Sequence, residues 1–354
     1  MRRRVAAGVG FAALLFLLVQ LGALALVPTF YEQGYQTVED PSDPTNSLLY
    51  IGAILVATAA MLAAFTFDLD WLVQVFVVLA AASLAWYVFS VFLSPLAAIG
   101  ASLVLAALLV VHPEWYVIDA AGVLMGAGAA GLFGISFGLL PAIVLLSILA
   151  VYDAISVYGT EHMLDLAEGV MDLNLPVVLV VPTTLSYSLL DAKTAADDGD
   201  EQSATYTDGA GAETAETASE GDTESESDES DEAPMAAEET PADEDVVPAD
   251  EDDVRDAFFI GLGDAVMPTV IIASAAFFLP ASLAPSLGVP GLPALNLPAL
   301  TAMVGTFAGL FTLLGMVLKG RAHAGLPLLN GGAIGGYLVG ALATGVPLLT
   351  ALGL

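Results

Sequence analysis

The chain has 354 residues, of which 57% are hydrophobic and only 13% charged, yet its formal net charge is −33. A mean hydropathy of +0.81 with so few charges excludes a soluble enzyme and reads as membrane-embedded. The lack of Cys excludes a secreted disulfide scaffold, and the acidity excludes a basic nucleic-acid binder. Residues 197–253 hold 24 of the 40 acids, whereas the other 297 residues carry 16 acids and all seven Lys and Arg, a net of −9.

A spanning helix needs about 20 mostly apolar residues. Nine segments qualify in chain order: 5–27, 47–67, 71–93, 95–111, 117–136, 139–159, 257–279, 298–318 and 328–352. The expected fold is therefore an all-α polytopic membrane protein with nine transmembrane helices. The first segment follows Met1-Arg2-Arg3-Arg4 but is longer than the apolar stretch of a signal peptide, and it reads as a retained helix. Pro95 stands in the first turn of the fourth, where proline is tolerated.

After the sixth segment, 160–172 reads as a short amphipathic helix, with acids at 161, 165, 168 and 172 on one face and Thr160 as N-cap. Residues 175–190 are too short and proline-bounded for another span. Their Val run has strand character and reads either as a re-entrant or interfacial packing segment or as an edge to which a substrate could add by backbone pairing. Residues 191–256 follow, acidic and nearly free of large apolar side chains, and 197–253 reads as a disordered loop. This divides the chain into a membrane part at 1–190, the loop at 191–256 and a second membrane part at 257–354.

Cytoplasmic loops collect Lys and Arg. With the N-terminus inside, Arg2, Arg3, Arg4, Lys193, Arg255, Lys319 and Arg321 all fall on one side of the nine spans. The acidic loop is then cytoplasmic and the C-terminus external.

Ionisable residues inside a bilayer are costly and mark function. Asp153 lies six residues before the sixth span ends, and Asp264 seven residues after the seventh begins. At the helical rise these are depths of about 9 and 10 Å from the cytoplasmic end. Facing carboxylates in a low-dielectric site cannot both ionise readily, so they share a proton. One can then take a proton from water while the other donates to a carbonyl oxygen. Gly261 and Gly263 would allow close backbone approach to Asp264. The spacing alone leaves two readings open: an aspartyl protease, or a proton or cation relay in a transporter.

Tyr152-Asp153 in one span and Gly261-Leu262-Gly263-Asp264 in the next resemble the paired motifs of the presenilin and signal peptide peptidase family of Gly-x-Gly-Asp intramembrane aspartyl proteases. The order, the span numbers and the long loop between them match over 139–352. The resemblance implies a nine-span fold, catalysis by Asp153 and Asp264, no cofactor or metal, and transmembrane peptide or protein substrates within a lipid bilayer. Tyr152 would pack beside the dyad. The cytoplasmic N-terminus is more similar to presenilin-like archaeal members than to signal peptide peptidase. Prepilin peptidases share Gly-x-Gly-Asp, but nine spans argue against them. A third family motif, Pro-Ala-Leu, precedes the ninth span. Its literal copies, Pro293-Ala294-Leu295 and Pro298-Ala299-Leu300, fall on the external side and read as turn and helix-start prolines. Leu326-Pro327-Leu328-Leu329 is the better match and would hold the unwound substrate, with Leu328 replacing Ala.

Asp119 reads as a polar contact to a neighbouring helix or as reaching the interface. His112, His162 and His323 have no metal-ligand spacing with any other residue. Gly122, Gly126 and Gly128, and the run Gly331, Gly332, Gly335, Gly336 and Gly340, read as helix-packing surfaces.

Overall fold

In hydrocarbon every backbone polar group must find a partner within its own segment, so long apolar runs fold as helices. A computed structural model describes residues 2–67, 69–159, 177–182, 184, 187–191, 257–318 and 324–354. These lie in one unit formed by Met1–Ala212 and Arg255–Leu354. The amphipathic helix expected at 160–172 and the loop at 197–253 fall outside the described residues.

The elements are α1 (Arg2–Glu32), α2 (Thr45–Thr66), α3 (Asp70–Phe92), α4 (Pro95–Val111), α5 (Trp115–Ser136) and α6 (Leu139–Gly159). Two strands follow, β1 (Val178–Pro182) and β2 (Ala257–Gly261), and then α7 (Leu262–Phe278), α8 (Leu297–Val317), α9 (Gly325–Ala343) and α10 (Leu348–Ala351). Among the described residues, seven helices are long and apolar enough to cross a membrane. The other two apolar helices, α4 and α7, have 17 residues each.

Each of the nine expected segments falls on a helix, but three of them differ at their boundaries. The seventh segment is not helical from its start. Ala257–Gly261 is a strand, antiparallel to β1 with Val178 opposite Gly261 and Val180 opposite Phe259. The fold is therefore not purely α-helical. Phe258, Phe259 and Ile260 are good strand formers, and the Val run provides the partner edge. The last segment starts earlier, at Gly325, with Pro327 inside its first turn. It ends at Ala343, because Gly345 turns left-handed (φ 79°) and Pro347 follows, leaving 348–351 as the separate α10. The first segment continues through Pro28 to Glu32.

Two large apolar clusters hold the bundle. One joins α1, α5, the sheet, the start of α7 and α8 through Phe16, Ile118, Leu179, Leu262 and Leu310. The other joins α6, α7, α8 and α9 through Leu146, Ile271, Met303, Ala333 and Tyr337. Tyr337 also donates from its hydroxyl to the Ala351 carbonyl at 2.6 Å, which ties α10 to α9.

The glycine run in α9 divides by face. A Cβ on Gly332 would strike the Gly305 carbonyl of α8, and one on Gly336 the Thr301 carbonyl; Gly340 lies equally close to the Thr301 side chain. Gly331 and Gly335 have no such neighbour within 4 Å. The i, i+4, i+8 glycines therefore let two backbones touch. Gly332→Leu is expected to destabilise the detergent-solubilised protein by about 1–3 kcal/mol through overpacking, read as a lowered unfolding temperature, whereas Gly331→Leu is not.

Candidate active site

Asp153 stands on α6, six residues before its end at Gly159, and Asp264 in the first turn of α7. The expected depth match assumed helix on both sides of Asp264. The chain enters instead as strand β2, and Gly261 (φ −57°, ψ 133°) is the point where it becomes α7. The backbone just before Asp264 is held by the residue that precedes β1, because the Leu262 N–H donates to the Val177 carbonyl at 2.8 Å. The Leu262 side chain is buried against α5. A Cβ on Gly126 would lie 3.3 Å from Leu262 Cδ1, so a small residue there makes room for it.

The start of α9 meets both aspartates. The first N–H groups of a helix have no partner within it and favour an anionic acceptor. Leu326 donates its N–H to Asp153 Oδ2 at 3.0 Å. One residue earlier, a Cβ on Gly325 would sit 3.2 Å from Asp264 Oδ2 and 3.3 Å from Oδ1. Asp153 and Asp264 thus converge on consecutive residues of a third helix. Pro327, next in line, has no N–H to leave unmet.

Two further bonds set the antiparallel register of α6 and α9. The Ala324 N–H donates to the Tyr158 hydroxyl at 3.4 Å, and Asn330 Nδ2 donates to the Leu146 carbonyl at 3.0 Å. Asn330→Ala is expected to cost about 1 kcal/mol for the lost bond. Because that bond orients the start of α9, the turnover rate should fall more than the unfolding temperature, as measured on the same preparation.

An apolar cavity opens beside Asp264. Gly8, Val9 and Ala12 of α1, Val181 of β1, Phe258–Ile260 of β2 and Leu310, Leu313 and Leu314 of α8 line it, and Asp264 is the one ionisable side chain among its described residues.

The other expected site residues are placed unevenly. A Cβ on Gly261 would lie 3.7 Å from Asp264 Oδ2, whereas Gly263 is exposed with open space around it. Tyr152, expected beside the dyad, is 36% exposed; Tyr158 is the tyrosine that reaches α9. Leu326, Pro327 and Leu328 are half-buried, whereas Leu329 is 0% exposed and packs in the core. The dipeptide that faces the aspartates is Gly325-Leu326. A Pro-Ala-Leu pattern does not point to Gly325, because it places the small residue after the proline, and here the small residue comes two positions before Pro327. Pro298 is in the first turn of α8 behind Asn296, whose Oδ1 accepts from the Ala299 N–H at 2.9 Å, so that copy is a helix start.

The family model described as signal-peptide peptidase, presenilin aspartyl protease matches residues 13–346. The chain belongs to this family. Two solved structures of a presenilin family intramembrane aspartate protease are similar to it. The C222 crystal form is 28% identical, covering 95% of this chain and 99% of the other, with a TM-score of 0.58. The P2 form is also 28% identical, covering 94% and 96%, with a TM-score of 0.55. The search of curated proteins found no match. Membership and the apolar helices together make the chain a multi-pass membrane protein of the aspartyl protease class.

Proposed function

We propose that the protein is an intramembrane aspartyl endopeptidase in which Asp153 and Asp264 form the catalytic dyad. The observation that carries this is their convergence on Gly325 and Leu326. One aspartate takes a proton from water as the oxygen attacks the scissile carbonyl, and the other donates its proton to the carbonyl oxygen. Collapse of the tetrahedral intermediate breaks the C–N bond: the leaving amine takes up the proton removed from water, and one hydroxyl of the diol returns its proton to the donor aspartate, leaving the carboxylic acid.

The substrate is a transmembrane segment, unwound near its end. Its apolar side chains match the cavity beside Asp264. Strand addition suits β2 better than the Val run, where the outer N–H of Val180 is bonded to Asp119. The groups of β2 that pair with β1 alternate with those of Ala257 and Gly261, which point to the other side. Gly325, Leu326 and Pro327 border the reacting carbonyl. In this reading α4 and α7 also cross the bilayer, which makes nine spans with the N-terminus and acidic loop cytoplasmic and the C-terminus external.

The test is cleavage of a synthetic transmembrane peptide by the purified protein in bicelles, with block by an aspartyl transition-state analogue. Cation or proton flux across liposomes without any peptide cleavage would instead establish the transporter reading.

A further inference from the structure

Asp119 is not part of the dyad, yet it is among the most buried charged residues described, at 3% exposure in the second turn of α5. Its Oδ1 accepts the Val180 N–H at 2.7 Å. Its Oδ2 is buried with no hydrogen-bond partner among the described residues. Burying this ionisable side chain costs desolvation, and its one bond offsets part of that cost.

That bond lies on the route to the active site. In β1 the Leu179 and Val181 positions face β2, so the Val180 N–H points outward and would be unmet without Asp119. β1 in turn holds β2 in register, and Val177, just before β1, accepts from the Leu262 N–H, two residues before Asp264. The same end of α5 grips the chain beyond β1. Trp115 Nε1 donates to the Tyr187 carbonyl at 3.0 Å. Glu114 accepts from Ser188 Oγ at 2.7 Å and from the Leu189 N–H at 3.1 Å.

Resting on the proteolytic reading of the site, we propose that Asp119 is a positioning residue for the reaction. By pinning Val180 it fixes the depth and register of the two-stranded sheet, and through Leu262 the placement of the Asp264 carboxylate. What this asks of Asp119 is a neutral acceptor at Oδ1, which an asparagine also supplies.

The wild-type protein must first cleave a synthetic transmembrane peptide in bicelles; failure there overturns the proteolytic reading, separately from this one. Given cleavage, Asp119→Asn is expected to keep kcat and KM within about twofold, whereas Asp119→Leu lowers kcat by about ten- to a hundredfold with a smaller change in KM, as displacement of a catalytic group does. Val180→Pro removes the donor from the other side. It spares the sheet, because the lost N–H points away from β2, and Pro182 already stands at the same edge. It should lower kcat as Asp119→Leu does, and the double variant should be no worse than the poorer single one. Unchanged kcat in both Asp119→Leu and Val180→Pro would overturn the proposal, as would an Asn variant as impaired as Leu, or losses that multiply in the double variant. If Asp119→Leu does not fold, Asp119→Asn and Val180→Pro decide by the same outcomes.

Discussion

Asp153→Asn and Asp264→Asn are each expected to lower the rate of transmembrane-peptide cleavage by at least about a hundredfold, the scale of a lost general acid or base. The replacement keeps the size and planar shape of the side chain. At position 153 it also keeps an oxygen to accept the Leu326 N–H, now at 3.0 Å, so α6 and α9 should stay in register and the unfolding temperature should hold. What is lost is the capacity to exchange a proton at neutral pH. In the proposed mechanism the two carboxyl groups act as a unit, so the double variant should be about as inactive as either single one rather than multiplying their losses. Single-turnover cleavage followed by mass spectrometry reads this directly. If either variant kept more than about a tenth of the wild-type rate, the assignment of a two-aspartate mechanism would fall, since a lost proton-transfer partner costs far more than that.

Both aspartates were legible in the sequence because a carboxylate in an apolar run is costly, and only Asp153 and Asp264 stood at similar distances from the ends of antiparallel segments. The helices were legible for the same reason that hydropathy works in membranes: apolar length and backbone self-satisfaction coincide. The start of the seventh segment was not legible. Ala257–Gly261 is as apolar as the helix that follows, and hydropathy does not distinguish a strand with a remote partner from the first turns of a helix. The partner, Val178–Pro182, lies 75 or more residues earlier in sequence, beyond the reach of any local pattern. In the sequence Asp119 reads as a contact to a neighbouring helix or as reaching the interface; its partner is a strand N–H, and that edge exists only once β1 and β2 have paired. The glycines of α9 read as one packing surface, but only the direction each points separates Gly332, which meets α8, from Gly331, which does not.

Gly325 carries the second large expected effect. Its missing side chain leaves room for the Asp264 carboxylate, whose oxygens would lie 3.2 and 3.3 Å from a Cβ there. That is tighter than an ordinary carbon–oxygen contact, so alanine must push Asp264 aside by a few tenths of an ångström, and a longer side chain must displace it altogether. Gly325→Ala is expected to slow cleavage by about tenfold and Gly325→Leu by about a hundredfold or more, because misplacing a reacting group by about 1 Å has effects of that size. Folding should move the other way. Gly325 is the first residue of α9, and alanine favours a helix over glycine by up to about 1 kcal/mol in its interior, so the alanine variant should unfold at the wild-type temperature or above it. Gly331→Ala is the control on the same helix, with nothing within 4 Å of the added methyl, and should cleave at the wild-type rate. An enzyme that lost activity at position 325 only as it lost stability would point to a damaged fold. One that kept full activity with leucine there would show that Asp264 does its work elsewhere than against the start of α9.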